Sequence, residues 1–183
     1  MSDLKIYIIH YTKLDERREY LNNLLSSLNI PFEFINEFDR EVLNEEIINT
    51  YYEKNKDKHY KKVSLWGENA NDFKELSLSE LSCSIKHLEA LRKISVDRFK
   101  YSLILEDDVI PTNEYFADKI YELIEKTSDW DVMFIGEGVG TKFKNRKIGY
   151  RRLLPFRKIF KMKHPATNCL EAYIIKKESI DKI

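Results

Sequence analysis

Cysteine is scarce: the 183 residues hold two, Cys83 and Cys169, and no Asn-x-Ser/Thr acceptor. Two thiols in a chain of this size exclude a disulfide framework and point to a reducing compartment. Glycine and proline are also sparse, five and four residues, so collagen-like and low-complexity classes fall away. Net charge is absent, with 31 basic and 31 acidic residues, which argues against a globally basic nucleic-acid binder. No apolar run approaches the roughly 20 residues of a membrane span. The opening MSDLKIYIIHYTKLDERR meets charge too soon to act as a signal peptide. The expectation is a soluble cytoplasmic protein.

What the chain does have is an apolar share of 43% and a charged share of 34%, a globular composition. The length fits a single domain over 1–183 that buries its own core. The neutral total conceals a division. Between Val139 and Leu170 there is no acidic residue, and ten of the 31 cations sit there, leaving the remainder at net −10. This 139–170 segment reads as a basic loop, part surface and part core packing. Alternatively, its cations and interleaved Leu153, Leu154, Phe156, Ile159, Phe160 and Met162 form a surface for an anionic membrane face.

Lys5 to Tyr11 is a short β-branched run that predicts a buried strand. A helix follows, with Thr12 as its cap and Tyr20, Leu21, Leu24, Leu25 and Leu28 on one face, ended by Asn29-Ile30-Pro31. Phe32 to Phe38 predicts a second strand. Strand, helix and strand in this rhythm predict a parallel sheet. Residues 39–75, polar and tyrosine-rich, read as an insertion over one sheet edge, with helix near 41–55. Ser77 to Glu80 is a capping-box pattern opening a helix. On that helix Leu81, Ile85, Leu88 and Arg92 form a core-like stripe, and Glu80, Ser84 and His87 form another, with Cys83 beside them as small packing filler. Tyr101–Leu105 and Trp130–Ile135 predict further strands, with a helix from an Asn113 cap to Lys126 between them. Ala172–Ile175 predicts a fifth strand, and Ser179 opens a helix whose abrupt end suggests truncation. The strands near 5–11, 101–105 and 131–135 are expected adjacent and parallel, with Glu106 and Gly136 at one edge.

The chemistry concentrates at Glu106-Asp107-Asp108, directly after an apolar strand. Carboxylates so close repel one another and need solvent or a cation. The carboxyl ends of parallel strands form the ligand crevice of such sheets. If strand alternation persists, Glu106 and Asp108 share one side and Asp107 takes the other. A hard Mg²⁺ or Mn²⁺ suits one or two carboxylates plus substrate phosphate oxygens, so a nucleoside-diphosphate substrate fits; a solvated turn fits equally well. The Gly136-Glu137-Gly138-Val139-Gly140 stretch lacks the spacing of a dinucleotide loop and suits close approach to a substrate.

Taken in order, five segments resemble glycosyltransferase family 25, the family of lipooligosaccharide and collagen galactosyltransferases. They are Ile6–Ile9 followed by Asp15-Glu16-Arg17-Arg18, LSELSCSIKH at 78–87, LILEDDV at 103–109, DVMFIG at 131–136 and TNCLEAYII at 167–175. Lys86 stands where the family often has Ser, and no C-terminal segment supplies a further metal ligand. The resemblance implies a GT-A-like nucleotide-diphospho-sugar transferase fold, α/β with a mainly parallel sheet flanked by helices. It implies metal-dependent, inverting transfer of a hexose, galactose foremost, from a UDP-sugar to a glycan acceptor such as lipooligosaccharide. It places Mn²⁺ or Mg²⁺ on Glu106 and Asp108. Donor contacts fall to Arg17, Glu80, His87 and Asp107, and the base to Glu137 or Glu171. A lipid-linked acceptor would bring the protein to the inner membrane face. A non-catalytic nucleotide-sugar binder and a metal-dependent phosphohydrolase are the competing readings.

Overall fold

The computed structural model describes residues 3–53, 75–111, 115–136, 150–154, 157–162 and 170–182, with main chain alone over 150–154 and 157–162. The expected βαβ opening is present. Strand β1 (Leu4–Ile9) leads to helix α1 (Asp15–Ser26) and then strand β2 (Phe32–Ile35), which pairs with β1 in parallel. Thr12 does not cap α1. The helix starts after Leu14 with no side-chain cap, because the Thr12 hydroxyl donates to Asp39 instead. Leu21 and Leu25 bury one face of α1, whereas Tyr20 is exposed. Beyond the helix Asn29 takes the left-handed backbone (φ 53°) that Asn tolerates well.

Phe38 lies outside β2 and also has positive φ, 66°. This is a costly conformation for a bulky residue, on the order of 1–3 kcal/mol. Ser82 Oγ donates to its carbonyl at 2.7 Å, and its ring meets Tyr51 edge-on. Helix α2 (Glu45–Tyr51) is capped by Asn44 and is the described part of the expected 41–55 helix. Most of the expected insertion, 54–74, lies outside the described residues.

Helix α3 (Leu78–Val96) begins at the capping box read from the sequence: Glu80 N donates to Ser77 Oγ and Ser77 N to Glu80 Oε2. Leu81 and Ile85 of the core-like stripe are buried as expected, and so is His87 of the other, but the rest of the buried face differs from those stripes. Ser82, Lys86 and Glu89 are buried at helical spacing, while Leu88 and Arg92 are exposed. Strand β3 (Tyr101–Glu106) pairs with β1 in parallel. Helix α4 (Phe116–Lys126) follows; the Asn113 cap lies outside the described residues. Strand β4 is Val132–Phe134, and β7 is Ala172–Lys176.

Sheet order is β2-β1-β3-β7-β4. This corrects one expectation. Strands β1, β3 and β4 run the same way, but β4 is not beside β3. Strand β7, antiparallel to both, lies between them. Its residues 172–175 are all buried, which suits an interior position, whereas β4 is only half-buried. Glu106 N bonds to Glu171 O at 2.8 Å and Gly136 N to Ala172 O at 3.2 Å, so Glu106 and Gly136 do share an edge.

Part of the basic segment is strand rather than loop: β5 (Tyr150–Leu154) and β6 (Arg157–Met162) pair antiparallel in a separate two-stranded sheet. The final helix is a 3₁₀ helix over Lys177–Lys182, and Ser179 lies inside it, buried, donating to Asp131 at 2.6 Å.

Strand alternation divides the core in two. Leu4, Ile6, Ile8, Leu103, Leu105 and Ile174 face α1 and α4. Tyr7, Ile9, Ile104, Tyr173 and Ile175 face α3. Helices thus cover both faces in three layers. The chain leaves β1 toward β2 over one face and returns to β3 over the other. The crevice beyond the carboxyl ends of β1 and β3 is therefore the ligand position of an open α/β sheet.

Candidate active site

His10 and Tyr11 at the end of β1, and Glu106-Asp107-Asp108 at the end of β3, line a cleft of about 260 Å³ there, together with Arg17, Cys83 and Lys86. Because β3 stops at Glu106 and residues 107–108 turn, the expected alternation does not persist. The triplet divides differently. Asp107 and Asp108 gather around Arg17, and Glu106 turns toward α3.

Asp107 is the most constrained. Its Oδ2 lies 2.9 Å from His10 Nδ1 and accepts from Tyr11 N at 3.1 Å, while Oδ1 accepts from Arg17 Nη1 at 2.7 Å. It is 10% exposed, against 56% for Asp108, whose Oδ2 lies 3.8 Å from the same Arg17 nitrogen. Asp108 therefore presents its carboxylate to the cleft and Asp107 fixes the wall. His10 is fully buried, its ring edge-on to Phe34, and its Nε2 has no hydrogen-bond partner among the described residues. Burial lowers its pKa, against the Asp107 hydrogen bond that raises it. Imidazole is thereby kept neutral beside a carboxylate.

Lys86 is 2% exposed and extends from α3 into the crevice floor. Its ammonium donates to Asp39 Oδ1 and to the His10 carbonyl. Burial opposes ionisation of Asp39, but hydrogen bonds from Lys86 and Thr12 outweigh it and hold the carboxyl below its usual range. This pair ties the segment after β2 to α3 and to the end of β1. Neither Asp39 nor His10 was singled out from the sequence; no local pattern joins residues 47 and 97 positions apart.

Glu106, 28% exposed, accepts neighbours from α3: His87 Nε2 at 3.4 Å and Cys83 Sγ at 3.8 Å. His87 is buried, with Nδ1 3.0 Å from Tyr173 Oη. Burial and the Glu106 charge push the Cys83 thiol up to about 11, and burial also raises the Tyr173 phenol.

Of the sequence-predicted residues, Arg17, Glu106, Asp107 and Asp108 meet at the cleft, and His87 stands behind Glu106. Glu80 sits at the exposed start of α3, engaged in the capping box. Glu171 is half-buried at the same sheet edge, its Oε2 close enough that a Cβ at Gly136 would meet it at 3.3 Å. Glu137 and Cys169 lie outside the described residues.

Mn²⁺ or Mg²⁺ asks for oxygen donors and uses one or two carboxylates. Glu106 and Asp108 both line the cleft and meet that requirement, while Asp107 is already occupied by three donors. Among the described residues no helix is long and apolar enough to cross a membrane. No curated protein matches the chain. The family model described as glycosyltransferase family 25 (LPS biosynthesis protein) matches residues 3–182. That match takes in every described strand and the acidic turn after β3, and the chain belongs to glycosyltransferase family 25.

Proposed function

We propose that this glycosyltransferase is a GT-A-type enzyme that moves a hexose, galactose foremost, from a UDP-sugar to a hydroxyl of a lipooligosaccharide-type glycan, with inversion. The observation that carries the reading is the exposed Asp108 carboxylate beside an Arg17-clamped Asp107, at the switch-point crevice of the sheet. Asp108 and Glu106 would hold Mn²⁺ or Mg²⁺ for a diphosphate donor. When bound, the ion offsets charge that grows on the leaving nucleotide. Arg17 orients the donor from the α1 side, held in place by Asp107. Lys86 and His10 keep the floor of the cleft rigid, so that these groups need no reorganisation as charge develops.

An inverting transfer needs a base at the acceptor hydroxyl. Glu171 serves in this reading, since it stands at the same edge next to Gly136; Glu137 is the second candidate. The basic segment 139–170 attaches the enzyme to an anionic membrane face carrying a lipid-linked acceptor. The ten cations without an acidic neighbour support this, each engaged one contributing about 1 kcal/mol near an anionic surface.

The test is UDP release from UDP-galactose with Mn²⁺ and a lipooligosaccharide acceptor. Transfer that disappears with chelator supports the reading. Phosphate-ester hydrolysis, or binding without turnover, overturns it. Glu171→Gln should lower kcat and remove the acidic limb of its pH profile; an unchanged profile moves the base to Glu137. Sedimentation with anionic but not neutral vesicles, reduced by salt and by Arg151, Arg152, Arg157 and Lys158 to Ser, tests attachment.

A further inference from the structure

Glu106 has a second set of neighbours that the transfer reading leaves unused. Cys83 and His87 are spaced i, i+4 on α3, which places them over one another on a helix face. One potential ligand atom from each of Cys83, His87 and Glu106 lies within 4.8 Å of the other two. The separations from Glu106 are 3.4 Å to His87 and 3.8 Å to Cys83. Ligands of a tetrahedral zinc ion, at its usual bond lengths, stand roughly 3.4–3.6 Å apart. The two separations from Glu106 are thus at or within a few tenths of an ångström of that spacing.

The surroundings are also those of a metal ligand. A ligating histidine has its far nitrogen held by a hydrogen-bonding partner, which fixes the tautomer and ring direction. Tyr173 Oη holds His87 Nδ1 at 3.0 Å and its ring stacks at 5.7 Å, 28° from parallel, leaving Nε2 aimed at Glu106. Among the described residues this is the single gathering of three such ligand types. One thiolate, one imidazole and one carboxylate form a borderline set, better suited to Zn²⁺ than to Mg²⁺ or Mn²⁺.

We propose that Cys83, His87 and Glu106 form a three-ligand Zn²⁺ site between α3 and the carboxyl end of β3, with its fourth position open to the cleft. Binding releases the Cys83 thiol proton to solvent and turns His87 to the tautomer protonated on Nδ1, which donates to Tyr173. Because Glu106 belongs also to the proposed diphosphate ion, zinc takes that ligand away and inhibits Mn²⁺-supported transfer.

The experiment reads binding without turnover, so it stands apart from the transferase reading. The full chain is titrated with Co²⁺, a spectroscopic stand-in for zinc. The expected result is a thiolate-to-cobalt charge-transfer band with intense visible d–d bands, both displaced by equimolar Zn²⁺. Cys83→Ser should lose the charge-transfer band and His87→Ala should weaken binding at least tenfold, while Cys169→Ser keeps the full spectrum. In the wild type, Zn²⁺ should also shield Cys83 from alkylation, mapped by mass spectrometry, which guards against variants that fold poorly. No cobalt band, a band that follows Cys169, or Cys83 alkylation unaltered by zinc overturns the site.

Discussion

The two ends of the central sheet both carry charge clusters, and they are built to opposite plans. At the amino end, Lys5 bonds Glu33 at 2.9 Å and Asp97 at 2.8 Å, Tyr7 donates to Asp97 at 2.6 Å, and Lys93 reaches Glu33 at 2.7 Å. Lys177 closes the group on the Asp97 carbonyl. At the carboxyl end, Asp107 is equally well held, yet Asp108 projects to solvent and Glu106 faces a thiol and an imidazole. The amino end also has the larger hollow, about 450 Å³ between Arg98, Tyr101 and Lys177. Size does not mark the site. The larger hollow is also lined by charged side chains, among them Lys100, Glu178 and Asp181; what sets the smaller cleft apart is the run of adjacent carboxylates Glu106, Asp107 and Asp108 at the carboxyl ends of β1 and β3.

Lys86→Ala should be the most damaging change to the fold, because it strands Asp39 in the crevice floor. Removing one partner of a buried ion pair costs about 3–5 kcal/mol. Urea denaturation would measure it, and a loss below ~1 kcal/mol would make the pair a surface feature. Asp108→Asn should divide the two ends most clearly: turnover falls on the order of 10²–10³-fold, while stability shifts by less than about 0.5 kcal/mol. An equal loss of stability would assign Asp108 to structure.

At the other end the effect inverts. The Asp97 carboxyl is 19% exposed and pulled down to about 2; burial resists this, but the Lys5 and Tyr7 hydrogen bonds prevail. A carboxyl depressed on folding stabilises fully above its unfolded value near 4, and that share is lost as pH falls toward 2. Asp97→Asn should therefore cost about 2 kcal/mol at neutral pH, with wild type and variant converging by pH 2, and should leave turnover unaltered. A pH-independent difference would break the assignment. Smallest is Ser77→Ala at the start of α3, about 1 kcal/mol for a lost N-cap, read by thermal melting.

Local patterns make most elements legible in the sequence. The β-branched runs gave β1, β3 and β7, the Ser77/Glu80 box gave the start of α3, and LILEDDV placed carboxylates at a strand's end. What could not be read was long-range pairing. Thr12 looks like a helix cap because its hydroxyl is three residues ahead of Asp15; only the fold brings Asp39 within its reach. In the sequence Lys86 is only a departure from the family pattern, and His10 a histidine without metal-ligand spacing. Each is defined by a partner at least 47 residues away. Strand order is similarly silent, since β7 carries the same apolar signal wherever it inserts.

The position of β7 has a consequence for how the molecule assembles during synthesis. Strands β1, β2 and β3 can pair once residue 106 is available, but the next place in the sheet belongs to residues 172–176. Until those emerge, β3 presents a row of unpaired amides along an apolar strand, the kind of edge that invites pairing with another chain. Strand β4, synthesised long before β7, pairs with β7 rather than with β3 and must wait for the same five residues. Closure of the sheet is a late, non-local event, and such events are slow and exposed to aggregation. A released chain ending near residue 165 should therefore bind holdase chaperones and resist release from them, while one that includes residues 172–176 should not.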